Sequence, residues 1–364
     1  MKNKTVCRLL FHLAFALAIG IPRYGISQVK MNKEIPKIIF DTDMGPDYDD
    51  VGAIAVLHAL ADSGECEILA TVASAGHPTI APTIELFNRY FGRADLPVGI
   101  PADDAPGYTA KNDWNTLLLK QYAPDRINHT YPSAVSVYRK VLAAQPDNSV
   151  VIVTVGFLSN IADLLASAPD EHSKMNGIAL VKAKVKKWVA MAGNLPEGKE
   201  FNVVEDAQAA YDAISQWPKP LLISGFEIGS KIFTGGKLNE QGDKDGPVAA
   251  AYAYNLKTYE EEEKTNRPSW DQTTVLAAVR NPEDYFYVNG PGTLMVDEQG
   301  YNTWNPLTNR EHYFLAHKYP YAYLEAVIET LMLHVPRNNF RGVSNHHNTR
   351  PMETRGPTND KSGT

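Results

Sequence analysis

The chain has 364 residues, of which 44% are hydrophobic and 21% are charged, so it is long enough to bury one large core or two small ones. The formal net charge is −7 at neutral pH, and Lys and Arg form no block beyond the extreme N-terminus. The sequence therefore predicts no nucleic-acid partner, and its acidic balance favours an electropositive one such as a metal ion.

Residues 1–27 predict a secretory signal peptide. Three basic residues precede the apolar run Leu9–Ile21, which is too short to span a bilayer comfortably, and small residues follow up to Ser27. We therefore expect a secreted or periplasmic protein with no stable membrane insertion after cleavage; an uncleaved N-terminal anchor is the alternative. Cleavage removes Cys7 and leaves Cys66 alone, which indicates a buried thiol and no internal disulfide.

Apolar strand-like runs alternate with helix-like runs through the first two thirds of the chain. The sequence predicts strands at residues 37–40, 67–75, 96–100, 150–156, 187–193 and 220–225, and helices at 51–62, 83–93, 137–145, 158–169 and 205–214. Such alternation is typical of βαβ units. We therefore predict an α/β fold with a mostly parallel central sheet flanked by helices. No linker divides the pattern, so residues 28–336 are expected to form one domain.

The last third of the chain is more polar. Residues 256–280 predict two helices joined by a turn that contains Pro268, and residues 285–304 predict a hairpin. The acidic run Glu260–Glu263 is more typical of a solvated helix face than of a functional patch. Residues 337–364 are polar and rich in Gly, Pro and Asn, so a disordered tail is expected, and its adjacent histidines are a weak indication of a metal site.

Five aspartates crowd the segment between the first predicted strand and the first predicted helix: Asp41, Asp43, Asp47, Asp49 and Asp50. Carboxylates this close raise one another's pKa unless a cation holds them together. At the carboxyl end of a parallel strand they would face the crevice where open α/β sheets bind ligands. Helix capping would explain one or two of them. Hard oxygen donors without Cys or clustered His therefore predict a divalent-metal site for Ca²⁺ or Mg²⁺.

Three later segments place polar residues where predicted strands end. A buried strand runs into a helix through Gly156, the loop after the next strand carries Asn194, Glu200 and Asn202, and Asp271 opens a predicted helix. Each segment has an ordinary alternative: a simple βα turn, a polar surface loop and a helix cap, respectively. Polar side chains at strand ends are also placed to bind the hydroxyls of a ligand.

The four segments, in this order, resemble the inosine-uridine-preferring nucleoside hydrolase family. The matching motifs are Asp-x-Asp-x-Gly with a following Asp-Asp at Asp41–Asp50, Gly-x-Leu-Ser-Asn-Ile-Ala at Gly156–Ala162, Met-x-Gly at Met191–Gly193, Glu-Phe-Asn at Glu200–Asn202, and the late Asp271. The resemblance covers residues 37–280 and implies a Rossmann-like single domain. It also implies calcium-dependent hydrolysis of the N-glycosidic bond of a ribonucleoside or related riboside, release of ribose, and a homodimer or homotetramer.

The resemblance further implies a set of ligands for Ca²⁺. These would be the side chains of Asp43, Asp50 and Asp271 together with the backbone carbonyl of Val155. Asp43 would in addition take the proton from the attacking water. Asp41 is expected to support these ligands from behind.

The family's ribose-binding positions fall on Asp49, Glu200, Asn202 and, with a looser match, Asn194. Breaking an N-glycosidic bond passes through a state resembling an oxocarbenium ion, which needs a polarised water on one face of the sugar and carboxylates that tolerate developing positive charge. A dense anionic crevice supplies both requirements.

Three positions depart from the family pattern. The first motif is two residues longer, so Asp47 is an extra carboxylate with no assigned role. Trp270 stands where many members have a His near the leaving base, and it is expected to stack on an aromatic aglycone or to pack in the core. His77 stands where the family has a ribose-binding Asn, and it is expected to bind a hydroxyl, to act as an acid or to be structural. The sequence thus predicts weak activation of the leaving group, or an acid from elsewhere in the chain, and does not predict which base is accepted.

The sequence leaves three other functions open. A ribosyl-ligand binding protein would keep the calcium site but show little turnover. A phosphotransfer hydrolase would use the stretch FDTDMG as its Asp-x-Asp motif, although Met44 and Gly45 and the four matching segments oppose it. A surface adhesion module would use calcium structurally and have no cleft.

Overall fold

A ten-stranded sheet runs through the computed structural model, which describes residues 35–259 and 265–336. Its strands, together with the two-stranded pair β8 and β9, are β1 (Lys37–Thr42), β2 (Glu67–Ala73), β3 (Val98–Gly99), β4 (Val150–Thr154), β5 (Val185–Met191), β6 (Glu197–Lys199), β7 (Leu221–Ser224), β8 (Phe233–Thr234), β9 (Arg267–Pro268), β10 (Phe286–Val296), β11 (Tyr301–Asn305) and β12 (His312–His317).

Helices lie between most of these strands. They are α1 (Asp49–Asp62), α2 (Ile80–Tyr90), α3 (Trp114–Tyr122), α4 (Ala134–Ala144), α5 (Ser159–Ala166), α6 (Gly177–Lys184), α7 (Phe201–Val204), α8 (Ala207–Gln216), α9 (Phe226–Gly229), α10 (Gly236–Gln241), α11 (Pro247–Thr258), α12 (Trp270–Val279) and α13 (Tyr321–Met332). Within the described ranges, no helix combines the length and the apolar character needed to cross a membrane.

The strand order in the sheet is β3-β2-β1-β4-β5-β7-β12-β10-β11-β6. The seven strands from β3 to β12 pair in parallel, whereas β10, β11 and β6 pair antiparallel at one side. This order confirms the predicted α/β fold with a mostly parallel sheet. Strand β1 lies between β2, which follows it in the chain, and β4. The strand order therefore reverses direction at β1 and β4, and such a reversal opens a crevice at the carboxyl ends of the two strands.

Both faces of the sheet are buried, which explains the continuous apolar runs in its strands. Ile38 and Phe40 of β1 enter one core cluster, shared with Leu57 of α1, while Ile39 enters a second cluster, shared with Leu164 of α5. The alternation follows from the two-residue period of a strand. Helices on both faces thus fix the sheet, and the sheet in turn fixes the residues at its carboxyl edge.

Several boundaries differ from the sequence prediction. Helix α2 begins at Ile80 instead of residue 83, and β3 has two residues instead of five, because only Val98 and Gly99 pair with β2. The predicted hairpin forms as β10 and β11. Helix α11 ends at Thr258, and the acidic run that was predicted to continue it lies outside the described residues, as do the predicted signal peptide and tail.

His58 on α1 is a fully buried histidine whose surroundings keep it neutral. Its ring stacks on Phe91 with centroids 4.6 Å apart, and its Nε2 lies 3.1 Å from the side-chain oxygen of Asn88. Burial, and next the charge of Arg93, lower the pKa of His58 to about 3. The unfolded chain therefore binds a proton that the folded chain does not, so His58 contributes stability above pH 6.5 that is lost as the pH falls toward the folded pKa.

We expect the His58→Gln variant to be less sensitive to acid than the wild type. Between pH 7 and pH 4.5 the wild type should lose about 2–3 kcal/mol more unfolding free energy than the variant, because only the wild type must exclude a proton from this site. Urea unfolding at both pH values, in EDTA, measures the difference. His129→Gln, at an exposed histidine, is the matched control. Equal losses in the wild type and His58→Gln would contradict the prediction.

Candidate functional site

A pocket of about 150 Å³ opens at the carboxyl edge of the sheet, beside the crevice between β1 and β4. Asp43 follows β1, Val155 follows β4 and Met191 ends β5. The carboxyl ends of three parallel strands therefore contribute residues to the same pocket. The residues that line the pocket are Asp43, Asp47, Asp49, Val155, Met191, Glu200, Phe201, Asn202, Phe226, Tyr259, Arg267, Trp270 and Asp271.

The carboxylates of the pocket are buried and close enough to affect one another. Asp43 and Asp271 are nearly inaccessible, and burial raises the pKa of both well above the ordinary value. The next contribution comes from the charge of Asp50 at Asp43 and from the charge of Asp49 at Asp271. The folded chain therefore concentrates negative charge that a bound cation would stabilise.

Asp49 is clamped by Arg267 and by the start of α12. Its Oδ1 accepts hydrogen bonds from Nε and Nη2 of Arg267 at 3.2 and 3.1 Å, and its Oδ2 accepts from the backbone N–H groups of Trp270 and Asp271 at 3.1 and 3.3 Å. Burial, and next the charge of Asp47, raise the pKa of Asp49 to about 8, while Arg267 opposes the rise. Asp49 thus caps α12 and not its own helix.

Asp47, the extra carboxylate of the longer first motif, has Arg267 as its partner. Nη2 of Arg267 lies 2.7 Å from Oδ2 of Asp47, and the guanidinium lies over the rings of Tyr48 and Tyr259 at 5.0 and 5.3 Å from their centroids. The Arg267 side chain is 3% exposed, compared with 31% for Asp47. The two-residue extension therefore brings in a carboxylate that a buried cation holds at the pocket wall.

Asp50 and Asp41 lie behind the lining. Oδ1 of Asp50 accepts from the hydroxyl of Thr42 and from the backbone N–H of Met44 at 3.1 Å, whereas no donor reaches its buried Oδ2. Asp41 accepts from the Tyr138 hydroxyl at 2.7 Å and from the Asn160 side-chain amide at 3.1 Å. Burial raises the pKa of Asp41 to about 7, against these hydrogen bonds.

Glu200 and Asn202 lie at the start of α7. Glu200 accepts backbone hydrogen bonds from Gly193 at 3.1 Å and from Asn202 at 2.8 Å, and burial raises its pKa to about 7. The side-chain amide of Asn202 donates to the backbone carbonyls of Val155 and Met191, both at 3.3 Å. Both residues are thereby rigid, and both line the pocket.

Trp270 is held against Phe226 at the pocket wall. The two rings stack with centroids 5.4 Å apart, and the indole N–H donates to the backbone carbonyl of Phe226 at 2.8 Å. The indole N–H is therefore engaged within the protein, although the ring is half-buried and reaches the pocket.

Besides Asp50, two sequence-predicted site residues, His77 and Asn194, do not reach the lining. Nδ1 of His77 lies 2.9 Å from the hydroxyl of Thr79, in the turn before α2. Asn194 exchanges two hydrogen bonds with Asn302 through its backbone, at 2.8 and 2.9 Å. Their substrate-binding roles stay predictions, as do the roles of the residues that the pocket brings together.

The donor atoms fit a hard divalent cation. Carboxylates that raise one another's pKa, and an Asp50 oxygen that no donor reaches, are the features that such an ion would satisfy. Within residues 35–259 and 265–336, however, no three His, Cys, Asp or Glu side chains stand in a geometry that could hold a metal ion.

Sequence reasoning did not find Arg267, Tyr259 or Phe226 as pocket residues. An Arg four positions before a candidate ligand carries no motif, and its acidic partners precede it by more than 200 residues. A larger cavity of about 460 Å³ adjoins the pocket and shares Asp47, Phe201 and Tyr259 with it.

Comparisons with known proteins show the family and the fold that the chain resembles. A sequence model of the family described as inosine-uridine preferring nucleoside hydrolase matches residues 38–325. The pyrimidine-specific ribonucleoside hydrolase RihA of Citrobacter koseri is 29% identical over 324 residues, which cover 83% of this chain and 95% of the relative. RihA of Salmonella typhi is 30% identical over 327 residues, with the same shares of 83% and 95%. The solved structure of a purine-preferring ribonucleoside hydrolase from Gardnerella vaginalis has a TM-score of 0.59 and 16% identity, covering 81% of this chain and 98% of that one. At this identity the structural match supports the fold alone.

Proposed function

Because the chain belongs to the inosine-uridine preferring nucleoside hydrolase family and is thus an enzyme of the nucleoside N-ribohydrolase type, we propose that it hydrolyses the N-glycosidic bond of a ribonucleoside or related riboside in a calcium-dependent reaction that releases ribose. One observation supports the proposal most strongly. One pocket is lined by the acidic groups Asp43, Asp49 and Asp271 together with Glu200 and Asn202.

The carboxylates act on the ribosyl group. As the glycosidic bond lengthens, positive charge develops on the sugar, and a buried anionic wall stabilises that charge more than it stabilises the neutral substrate. Asp43 is the proposed base that takes the proton of the attacking water, since it lines the pocket directly after β1 and is held by the sheet.

The family uses a metal ion, and we propose Ca²⁺ for this chain. Asp43, Asp50, Asp271 and the Val155 carbonyl are the proposed ligands, since all four are oxygen donors at one edge of the sheet. When bound, the ion would lower the pKa of a water molecule and orient it.

The leaving-group side is the part of the proposal that differs from the usual pattern. The described lining contains no histidine, and the Trp270 N–H is engaged with Phe226. The aglycone is proposed to extend into the adjoining cavity of about 460 Å³, beside Tyr108 and Phe201. Substrates whose leaving group needs no protonation, such as p-nitrophenyl riboside, should therefore react fastest.

A panel of purine and pyrimidine nucleosides and p-nitrophenyl riboside, assayed for reducing sugar with Ca²⁺ and with EDTA, tests the proposed function. Release of ribose that requires Ca²⁺ is the expected result. Tight Ca²⁺ binding with a blank panel would instead favour a ribosyl-ligand binding protein or a calcium-stabilised adhesion module. Turnover that is unchanged in EDTA would remove the calcium proposal and leave the hydrolase.

Localisation and assembly are proposed from the sequence. We propose a secreted or periplasmic enzyme, acting on small nucleosides or ribosides, without a nucleic-acid partner and as a homodimer or homotetramer. Fractionation of cells that express the full chain, and light scattering of the purified protein, test the two proposals separately. A protein retained with the cytosol, or a monomer at micromolar concentration, would contradict them.

A further inference from the structure

The clamp on Asp49 bears on which carboxylate binds the sugar. An ionised carboxylate has about four lone-pair sites, and Asp49 already accepts four hydrogen bonds, two from Arg267 and one each from the backbone N–H groups of Trp270 and Asp271. Its side chain is 2% exposed. A ribosyl hydroxyl needs an acceptor lone pair that faces the pocket, and Asp49 offers little capacity for one.

Asp47 offers the accessible acceptor oxygens that Asp49 lacks. Its side chain is 31% exposed and lines both the 150 Å³ pocket and the adjoining cavity. The ion pair from Nη2 of Arg267 to Oδ2, at 2.7 Å, fixes the carboxylate without occupying all of its lone pairs. Arg267 is itself fixed by its second contact, to Asp49, and by the Tyr48 ring.

We propose that Asp47 is the residue of this chain that accepts hydrogen bonds from the substrate's ribosyl hydroxyls. Arg267 is its positioning residue, and Asp49 anchors Arg267 and caps α12. The inference rests on the proposed function, because it assigns the sugar-binding group of the same site. It gives the two-residue extension of the first motif a role: the extension adds a second carboxylate to the pocket wall, while the oxygens of Asp49 are already engaged by Arg267 and α12.

A hydroxyl-binding carboxylate at Asp47 should make the site select ribosyl over deoxyribosyl ligands. A site built to hydrogen-bond a hydroxyl rejects the analogue that lacks it, because its polar group is then left without a partner. Asp47 keeps some contact with solvent, so the discrimination against a deoxyribosyl ligand should be about 10- to 100-fold, below that of a fully buried group. Removing the Asp47 charge should reduce that ratio to near one.

The experiment measures ribose and 2-deoxyribose binding by calorimetry at saturating Ca²⁺, and kcat/KM for a nucleoside and its 2′-deoxy analogue. The variants are Asp47→Asn, Asp49→Asn, Arg267→Lys and the double variant with Asp47→Asn and Arg267→Lys. Asp95→Asn, at an exposed carboxylate in the turn before β3, is the matched control. Melting temperatures and titration with Ca²⁺ alone accompany each variant.

Asp47→Asn should weaken ribose binding about tenfold or more and abolish the ribo/deoxy ratio, with a melting temperature within about 2 °C of the wild type. Asp49→Asn should lower the melting temperature, because its amide N–H groups would face the N–H donors of Arg267 and α12. Arg267→Lys should weaken ribose binding through KM more than kcat. The double variant should bind ribose no more weakly than Asp47→Asn alone, since Arg267 acts through Asp47.

Three results would overturn the inference. Asp47→Asn with unchanged ribose affinity and ratio would exclude it, and so would loss of the ratio in Asp49→Asn at an unchanged melting temperature. Loss of Ca²⁺ binding in Asp47→Asn would make Asp47 a metal ligand instead. A wild type that neither binds ribose nor cleaves any nucleoside would contradict the proposed function and the inference together. That outcome concerns the wild type, whereas the first three concern the variants, so the two kinds of failure can be distinguished.

Discussion

Replacement of Asp43 by Asn should lower kcat by about 10³-fold while the protein stays folded. Asn keeps the shape of the side chain but cannot take a proton from water. Asp43 follows β1 and lines the pocket, and no other carboxylate of the pocket extends directly from that strand. Steady-state kinetics at saturating Ca²⁺ and substrate measures the loss.

The same substitution should not reduce the unfolding free energy in EDTA. Burial, and next the charge of Asp50, raise the pKa of Asp43 well above its usual range, so the neutral amide relieves an electrostatic penalty of the metal-free protein. Asp95→Asn should leave both activity and stability unchanged, since Asp95 is exposed. An Asp43→Asn variant that retains more than about a tenth of the wild-type kcat would exclude Asp43 as the base.

The sheet could be predicted from local sequence patterns, but its full width could not. The fully apolar runs at β4 and β7 indicate strands buried on both faces, which is the property that parallel strands share. Strand β12 has only two buried residues, His312 and Leu315, and it pairs in parallel with β7, about 90 positions earlier in the chain. No local pattern encodes such a long-range pairing, so β12 was not predicted.

The site could be predicted to the extent that its residues follow strand ends. Asp43 and Val155 meet because β1 and β4 are neighbours in a parallel sheet, which the strand pattern already indicates. Arg267 could not be predicted, since it approaches Asp47 and Asp49 only through the packing of α12 against α1. The role proposed for Asp47 therefore rests on its ion pair with Arg267, which the sequence does not indicate.

Arg267 separates the aspartates of the site into those with an ion pair and those without one. It places one buried guanidinium among carboxylates that otherwise repel one another, and it forms ion pairs with both Asp47 and Asp49. Asp43, Asp50 and Asp271 have no such ion pair among the described residues. The aspartates of the site thus form two groups, a pair that Arg267 holds and a group without an ion pair among the described residues.

Gly156→Ala should be the second most damaging substitution, although Gly156 has no side chain to contribute. A Cβ at this position would lie 2.5 Å from the backbone nitrogen of Asp43 and 2.8 Å from its Cβ, as well as 2.4 Å from the Ser74 hydroxyl. Backbone atoms cannot move aside as the end of a side chain can. We expect a loss of about 1–3 kcal/mol in unfolding free energy, and about 100-fold in kcat/KM, because Asp43 itself must shift.

The matched control is Gly107→Ala, where an added Cβ would meet no heavy atom within 4 Å. This variant should be neutral or more stable by up to about 1 kcal/mol, because alanine restricts the unfolded chain. Urea unfolding and kinetics on both variants separate the general effect of alanine from the displacement of Asp43. A Gly156→Ala variant that lost stability but kept the full kcat/KM would contradict this prediction. It would show that activity does not depend on the exact position of Asp43, and another residue would then have to act as the base.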